Sequence, residues 1–158
     1  MKRLEDWPAR LDAYLESRRN TPFIWGKNDC ASFAAGAIEA MTGEIIGQKF
    51  LGSYHDKLGA LEVIQAILGK IGWGNYLANH ASIKVVLTDA MSALPEHFGF
   101  SMRPTKTAQR GDLVLLPSED PSAPALGIVS LDGRLCAAPG KAGMQFKPLS
   151  AALKAWKV

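Results

Sequence analysis

Cys30 follows Asn28-Asp29 at the point where an apolar pattern of helical period begins. A cysteine in the first turn of a helix meets unpaired backbone N–H groups, whose partial positive charge favours the thiolate. The thiolate is the nucleophile, and many catalytic cysteines are activated by this placement. The same position also suits a small buried side chain, because free cysteine is among the most buried residue types and Cys30 opens an apolar stripe. A cysteine nucleophile needs a base, ordinarily histidine. The three histidines are His55, His80 and His97, all before Gly111. His80, in the glycine- and aromatic-containing stretch from Trp73, is the best candidate for a base reaching Cys30 from elsewhere, although a lone loop histidine is commonly a polar surface residue. The second cysteine, Cys136, forms no CxxC pair with Cys30 and no zinc pattern, so no metal and no other cofactor is expected.

The elements that would position Cys30 follow from periodicity. Residues 4–19 predict a helix, with Trp7, Leu11, Tyr14 and Leu15 spaced by three and four and Pro8 in the first turn. A short apolar loop, Phe23-Ile24-Trp25-Gly26, leads to a second helix capped by Asn28 or Asp29. It carries Cys30, Phe33, Ala34, Ala37, Ile38 and Met41 on one face and ends at Gly43. A third helix is predicted from about Leu58 to Leu68, with Leu58, Leu61, Ile64, Leu68 and Ile71 on one side and Gly69, Gly72 and Gly74 breaking it. Residues 75–108 predict irregular chain with a short helix near Thr88 to Leu94, stopped by Pro95. From Arg110 the period shortens. Strands are predicted at 113–116, 126–130, 134–138 and 144–147. Asp132-Gly133 gives a two-residue hairpin signal, whose central positions both need positive φ, and Pro139 to Gly143 forms a turn. Helices first and an antiparallel meander last make an α+β domain, one domain over residues 1–158.

These segments resemble the NlpC-type cell-wall cysteine peptidases, which have a papain-like fold. Phe23-Ile24-Trp25-Gly26 followed by Asp29-Cys30-Ala31-Ser32-Phe33 looks like their nucleophile segment. Gln109 to Leu115, with Gly111-Asp112, resembles the Gly-Asp strand that follows there, and Leu126-Gly127-Ile128-Val129 and the Asp132-Gly133 hairpin resemble the next two strands. A phage- and prophage-borne branch, encoded among tail genes, is similar over Thr21 to Gly43, Ala138-Pro139-Gly140, Gly143, Pro148-Leu149 and Ala155 to Val158. The resemblance implies that N-terminal helices pack on a C-terminal antiparallel sheet, with Cys30 starting the central helix. It implies a cleft bounded by Trp25, Gly26, Asp29 and Gly127.

The resemblance also marks two substitutions. In an active enzyme of this kind, a histidine opens the strand after the Gly-Asp strand, and a polar residue on the next strand orients it. Here the first position falls on Ala125 and the second on Ala137. If Ala137 faces the cleft, strand alternation turns Cys136 away. Losing general acid–base help costs about 10² to 10⁴ in rate, and an alanine cannot protonate a poor leaving group. Cys30 is then a vestigial nucleophile, at most mildly activated. Trp25 and Trp156 are expected in the core or cleft wall.

Three functions fit these residues. The resemblance implies a catalytically inactive phage tail-tip or tail-assembly component, partnered by other tail proteins and present in the host cytoplasm during assembly and then in the virion tail. The alternative is an active cysteine peptidase or amidase that cleaves peptidoglycan peptides with Cys30 and a non-standard base. The third is an unrelated binding domain that shares only a short motif. Composition trims the field further. The 158 residues are 47% hydrophobic and 21% charged, with net charge +3. The basic residues are scattered, so no nucleic-acid partner is expected. No stretch is apolar for long enough to insert in a membrane. Leu4-Glu5-Asp6-Trp7 stands where an export signal's apolar region would begin. A soluble chain with two reduced thiols is therefore expected.

Overall fold

The computed structural model describes residues 1–69 and 83–158. His80, Ile71, Gly72 and Gly74 lie outside them. The described residues form an α+β arrangement of four helices and a six-stranded antiparallel sheet. The helices are α1 (Trp7–Arg18), α2 (Cys30–Thr42), α3 (Lys57–Ile67) and α4 (Ile83–His97). The strands are β1 (Ser101–Arg103), β2 (Leu113–Pro117), β3 (Pro124–Val129), β4 (Leu135–Gly140), β5 (Gly143–Pro148) and β6 (Lys154–Lys157), in the spatial order β1-β6-β2-β3-β4-β5.

Helix α2 is the centre. Asp29 caps it, accepting from the Ser32 N–H at 2.9 Å while the Ser32 hydroxyl accepts from the Asp29 N–H at 3.0 Å. This reciprocal box satisfies donors that a helix start would otherwise leave unpaired. At the other end Gly43 takes the left-handed conformation that stops the helix. Ala31, Phe33, Ala34, Ala35, Ala37, Ile38 and Met41 are all buried, so α2 is covered on more sides than one stripe requires. It packs on α1 and on β3. The approach to α1 is close enough that a Cβ on Gly36 would lie 2.4 Å from the Tyr14 hydroxyl oxygen, and that hydroxyl donates to the Phe33 carbonyl at 2.9 Å. Each large side chain sealed in this core, such as Phe33, contributes about 1.5–3 kcal/mol.

The sheet separates two apolar layers. Leu113, Leu115, Leu126, Ile128, Ala137 and Trp156 face the helices, and Val114, Leu116, Val129, Cys136, Ala138 and Ala155 form a second cluster. At the clamped end of the sheet, Asp112 accepts from Arg3 at 3.0 Å, from Arg103 and from the Gln109 N–H at 2.8 Å. One buried carboxylate thus ties together the N-terminal segment, β1 and the entry to β2. Gly111 before it has φ +79°, and a Cβ there would press on Met41 and Trp7.

Several expectations change. Helix α1 starts at Trp7 rather than Leu4, with Pro8 in its first turn as read. The short helix stopped by Pro95 is instead a 15-residue helix that contains Pro95 in its last turn. There the missing N–H forfeits only one ladder bond, and the Phe98 N–H closes on the Leu94 and Pro95 carbonyls. Leu58, placed on the inner side of α3, is exposed; Ala60, Leu61 and Ile64 are the buried residues. Asp132-Gly133 is not a two-residue turn. Only Gly133 has positive φ, the Ser130 N–H donates to the Leu135 carbonyl, and the Asp132 carboxylate accepts from the Arg134 and Leu135 N–H groups. Strands β1 and β6 lie outside the predicted strands, being three and four residues long.

Candidate functional site

Strands β3 and β4 are six residues each but pair at only two positions, Ile128 with Ala137 and Val129 with Cys136. Gly127 marks the parting point: a Cβ there would lie 2.7 Å from the Ala137 carbonyl oxygen. Beyond it β3 stays with β2 and β4 stays with β5. Between them lies a cavity of about 280 Å³, with Cys30 on its wall. Phe23 and Trp25 form an aromatic side, their rings 4.8 Å apart and edge-on. Leu116, Pro124, Ala125, Ala138 and Pro139 supply the strand side. The mouth carries Glu119, Asp120, Lys141 and Lys147.

The loop before α2 is built to hold this wall. Gly26 has φ +70°, and a Cβ on it would lie 2.3 Å from the Tyr54 carbonyl oxygen, so no other residue fits. Its N–H donates to Asp29 at 2.7 Å, and its carbonyl accepts from the Gly52 N–H at 2.7 Å. Asn28 donates to the Thr21 and Pro22 carbonyls, and the Phe23 N–H donates to the Gly140 carbonyl at 2.9 Å. The segment ahead of Cys30 is therefore fastened to the β4–β5 hairpin. Opposite, Lys57 pairs with Asp120 and donates to the Ser122 hydroxyl at 2.6 Å, anchoring the β2–β3 loop to α3. The Lys57 ammonium, followed by Ser122, holds the Asp120 carboxyl down at about 2.

The Cys30 thiol is half-buried and free. Burial pushes it up to about 12, and the negative charge of Asp29 adds to the rise. The N–H groups of Leu126, Cys30 and Ala31 pull the other way, as a helix start should, but desolvation outweighs them. The thiol is thus held as a thiol, within the limit of at most mild activation. Tyr54, which sequence patterning did not single out, is buried beside it. Its phenol is raised by burial and then by Asp29 and Cys30, and its ring lies 6.4 Å from that of Trp25. Gly52-Ser53-Tyr54 carries no periodic or motif signal that could have flagged it.

Among the expected site residues, Cys30, Trp25 and Ala125 line the cavity, Asp29 and Gly26 support it, and Gly127 opens it. Ala137 does not line it. It is fully buried on the helix side, paired with Ile128, and the first β4 residue on the cavity wall is Ala138. The strands part just past Ala137, so the gap begins one residue later. Cys136 is buried in the opposite layer, where burial raises its thiol to about 11. Ile24, in the same apolar loop as Phe23 and Trp25, is exposed and off the cavity wall, whereas Trp156 is core. His55 and His97 are exposed and do not line the cavity. Among the described residues, no cluster of side chains suited to a metal ion occurs, and no helix is long and apolar enough to cross a membrane.

No curated protein matches the sequence. A family model described as Domain of unknown function (DUF6950) matches residues 2–158, and the chain belongs to that family.

Proposed function

We propose that this protein is a phage tail-tip or tail-assembly component that keeps an NlpC-like, papain-like scaffold and works by binding rather than by catalysis. The observation that carries the reading is the pairing of Cys30 with Ala125. Cys30, at a capped helix start, and Ala125, where the resemblance would put a base, line the same cavity, and Ala125 offers only a methyl group there. The thiol's elevation to about 12 supports the same reading, since a working cysteine peptidase needs a thiolate near neutral pH. What remains is an apolar hollow with a charged mouth, a natural docking site.

The partner is another tail protein, and tail assembly in the host cytoplasm before lysis is where the two would meet. Phage carrying Cys30→Ser should form infectious particles at near-normal titre, while deleting the gene should leave tails incomplete. Cys30→Ser particles with intact tails that fail to infect would point instead to thiol chemistry at the cell wall. So would hydrolysis of peptidoglycan peptides by the purified protein that disappears in Cys30→Ala.

A further inference from the structure

The cavity has three features that together describe an occupant. Its walls are apolar and its volume, about 280 Å³, is at the small end for ligand sites, enough for one or two side chains. Its strand edges are short of donors. An unbroken ladder would place Leu126 opposite Pro139, but Pro139 has no N–H to offer the Leu126 carbonyl, and the Leu126 N–H is turned to the Cys30 sulfur. Among the described residues, the Leu126 and Pro139 carbonyls are left without a partner across the split. Its mouth has spare positive charge. Asp120 is neutralised by Lys57, which leaves one carboxylate, Glu119, against the two mouth lysines; Glu119 accepts from the Gln145 amide and keeps its charge. Lys147 donates only to the Pro117 carbonyl, and Lys141 is exposed with neither an ion pair nor a hydrogen bond among the described residues.

We propose that this cavity receives the C-terminal residues of a partner polypeptide ending in an apolar side chain, with main-chain N–H groups on the split strand edges and the terminal carboxylate at Lys141. A peptide end supplies all three complements at once: an apolar side chain, backbone donors and a negative charge. A fatty acid supplies the first and last but no donors. The inference rests on the reading that the protein works by binding, and it names the form of the contact.

The test titrates the purified protein with pentapeptides ending in Leu, Val or Phe, as free acids and as C-terminal amides, following Trp25 by fluorescence or NMR. Free acids should bind about tenfold more tightly than amides, a difference of about 1.4 kcal/mol. Lys141→Glu should erase that difference. Ala125→Phe, which fills the hollow from a half-buried wall position, should abolish binding while the near-ultraviolet circular dichroism and unfolding midpoint stay as in the wild type. Equal affinity for acid and amide, no binding up to millimolar peptide, or octanoate competing as well as the best peptide would each overturn the proposal. Phage genetics separates the two ideas. Normal tails in Ala125→Phe phage, with incomplete tails in the deletion, would sink the cavity inference and leave the assembly role standing. Peptides binding as expected while the deletion leaves tails intact would do the reverse.

Discussion

Asp112 and Asp29 are both almost completely buried, and they are balanced in opposite ways. Asp112 sits between two guanidinium groups, from Arg3 and Arg103, with one backbone N–H besides. Asp29 has no cationic partner among the described residues. It is satisfied by the N–H groups of Gly26 and Ser32 and by the Ser32 hydroxyl. Hydrogen bonds satisfy an acceptor without cancelling its charge, so the field of Asp29 reaches its neighbours and raises both the Cys30 thiol and the Tyr54 phenol. At one end of the sheet a charge is neutralised to join strands. At the other a charge is left active beside a thiol that it helps to keep protonated.

The contrast is broken most directly at Asp112. Asp112→Ala leaves two largely buried arginines facing each other, and it should cost about 3–5 kcal/mol, read as a lower midpoint in urea unfolding with an unchanged slope. Asp29→Ala should cost less, about 1 kcal/mol for the lost cap. Unlike Asp112→Ala, it should also speed alkylation of Cys30 at fixed pH, because the nearby negative charge is gone. Equal losses from the two substitutions, with no change in alkylation, would show that the two carboxylates do the same job. Gly26→Ala lies between them, at roughly 2 kcal/mol, since it adds left-handed strain to contact with the Tyr54 carbonyl.

The pH dependence sharpens the same point. The Cys30 thiol is raised from an ordinary value of 9.0 to about 12. Its contribution is therefore fully present below pH 9 and is lost as pH climbs from 9 toward 12, where the unfolded chain ionises first. Cys30→Ser should flatten the fall of stability across that window, measured by urea unfolding at successive pH values. A wild-type alkylation rate that levels off near pH 7 would contradict the raised thiol. The smallest effect belongs to the cavity mouth. Asp120 is lowered from 3.8 to about 2, so its contribution is present above pH 4 and lost between 4 and 2. It is a partly exposed pair worth no more than about 1 kcal/mol, and Lys57→Ala should lower stability by up to that amount at neutral pH and leave it unchanged near pH 2, so that the acid-side slope shrinks.

Local signals made the Cys30 end legible. Asp29 is a capping residue followed by Ser32, Gly43 is a helix stop, and an unbroken apolar period lies between them, so α2 could be read almost to the residue. The β2–β5 meander was legible for the same reason, through short apolar runs separated by turn residues. What escaped depends on distant partners. Strand β1 is three residues with two exposed, and β6 is four, so neither carries enough pattern to stand out from loop. Both are strands because Met102 meets Trp156 and Trp156 meets Leu113, across pairings no local window contains. The displacement from Ala137 to Ala138 came from the same source. Alternation along β4 was readable, but the point at which β3 leaves it was not.

Strand β6 lies between β1 and β2 although it follows both in the chain. During synthesis β1 emerges without its neighbour, and β2 lacks one of its two partners until residues 154–157 are out of the ribosome. The sheet therefore cannot close in the order in which it is made. Its last stitch joins segments separated by much of the second half of the chain, a long-range closure of the kind that slows folding and leaves strand edges open to other chains meanwhile. Trp156, fully buried at the centre of that stitch, would report the moment of closure as the slow fluorescence phase of refolding.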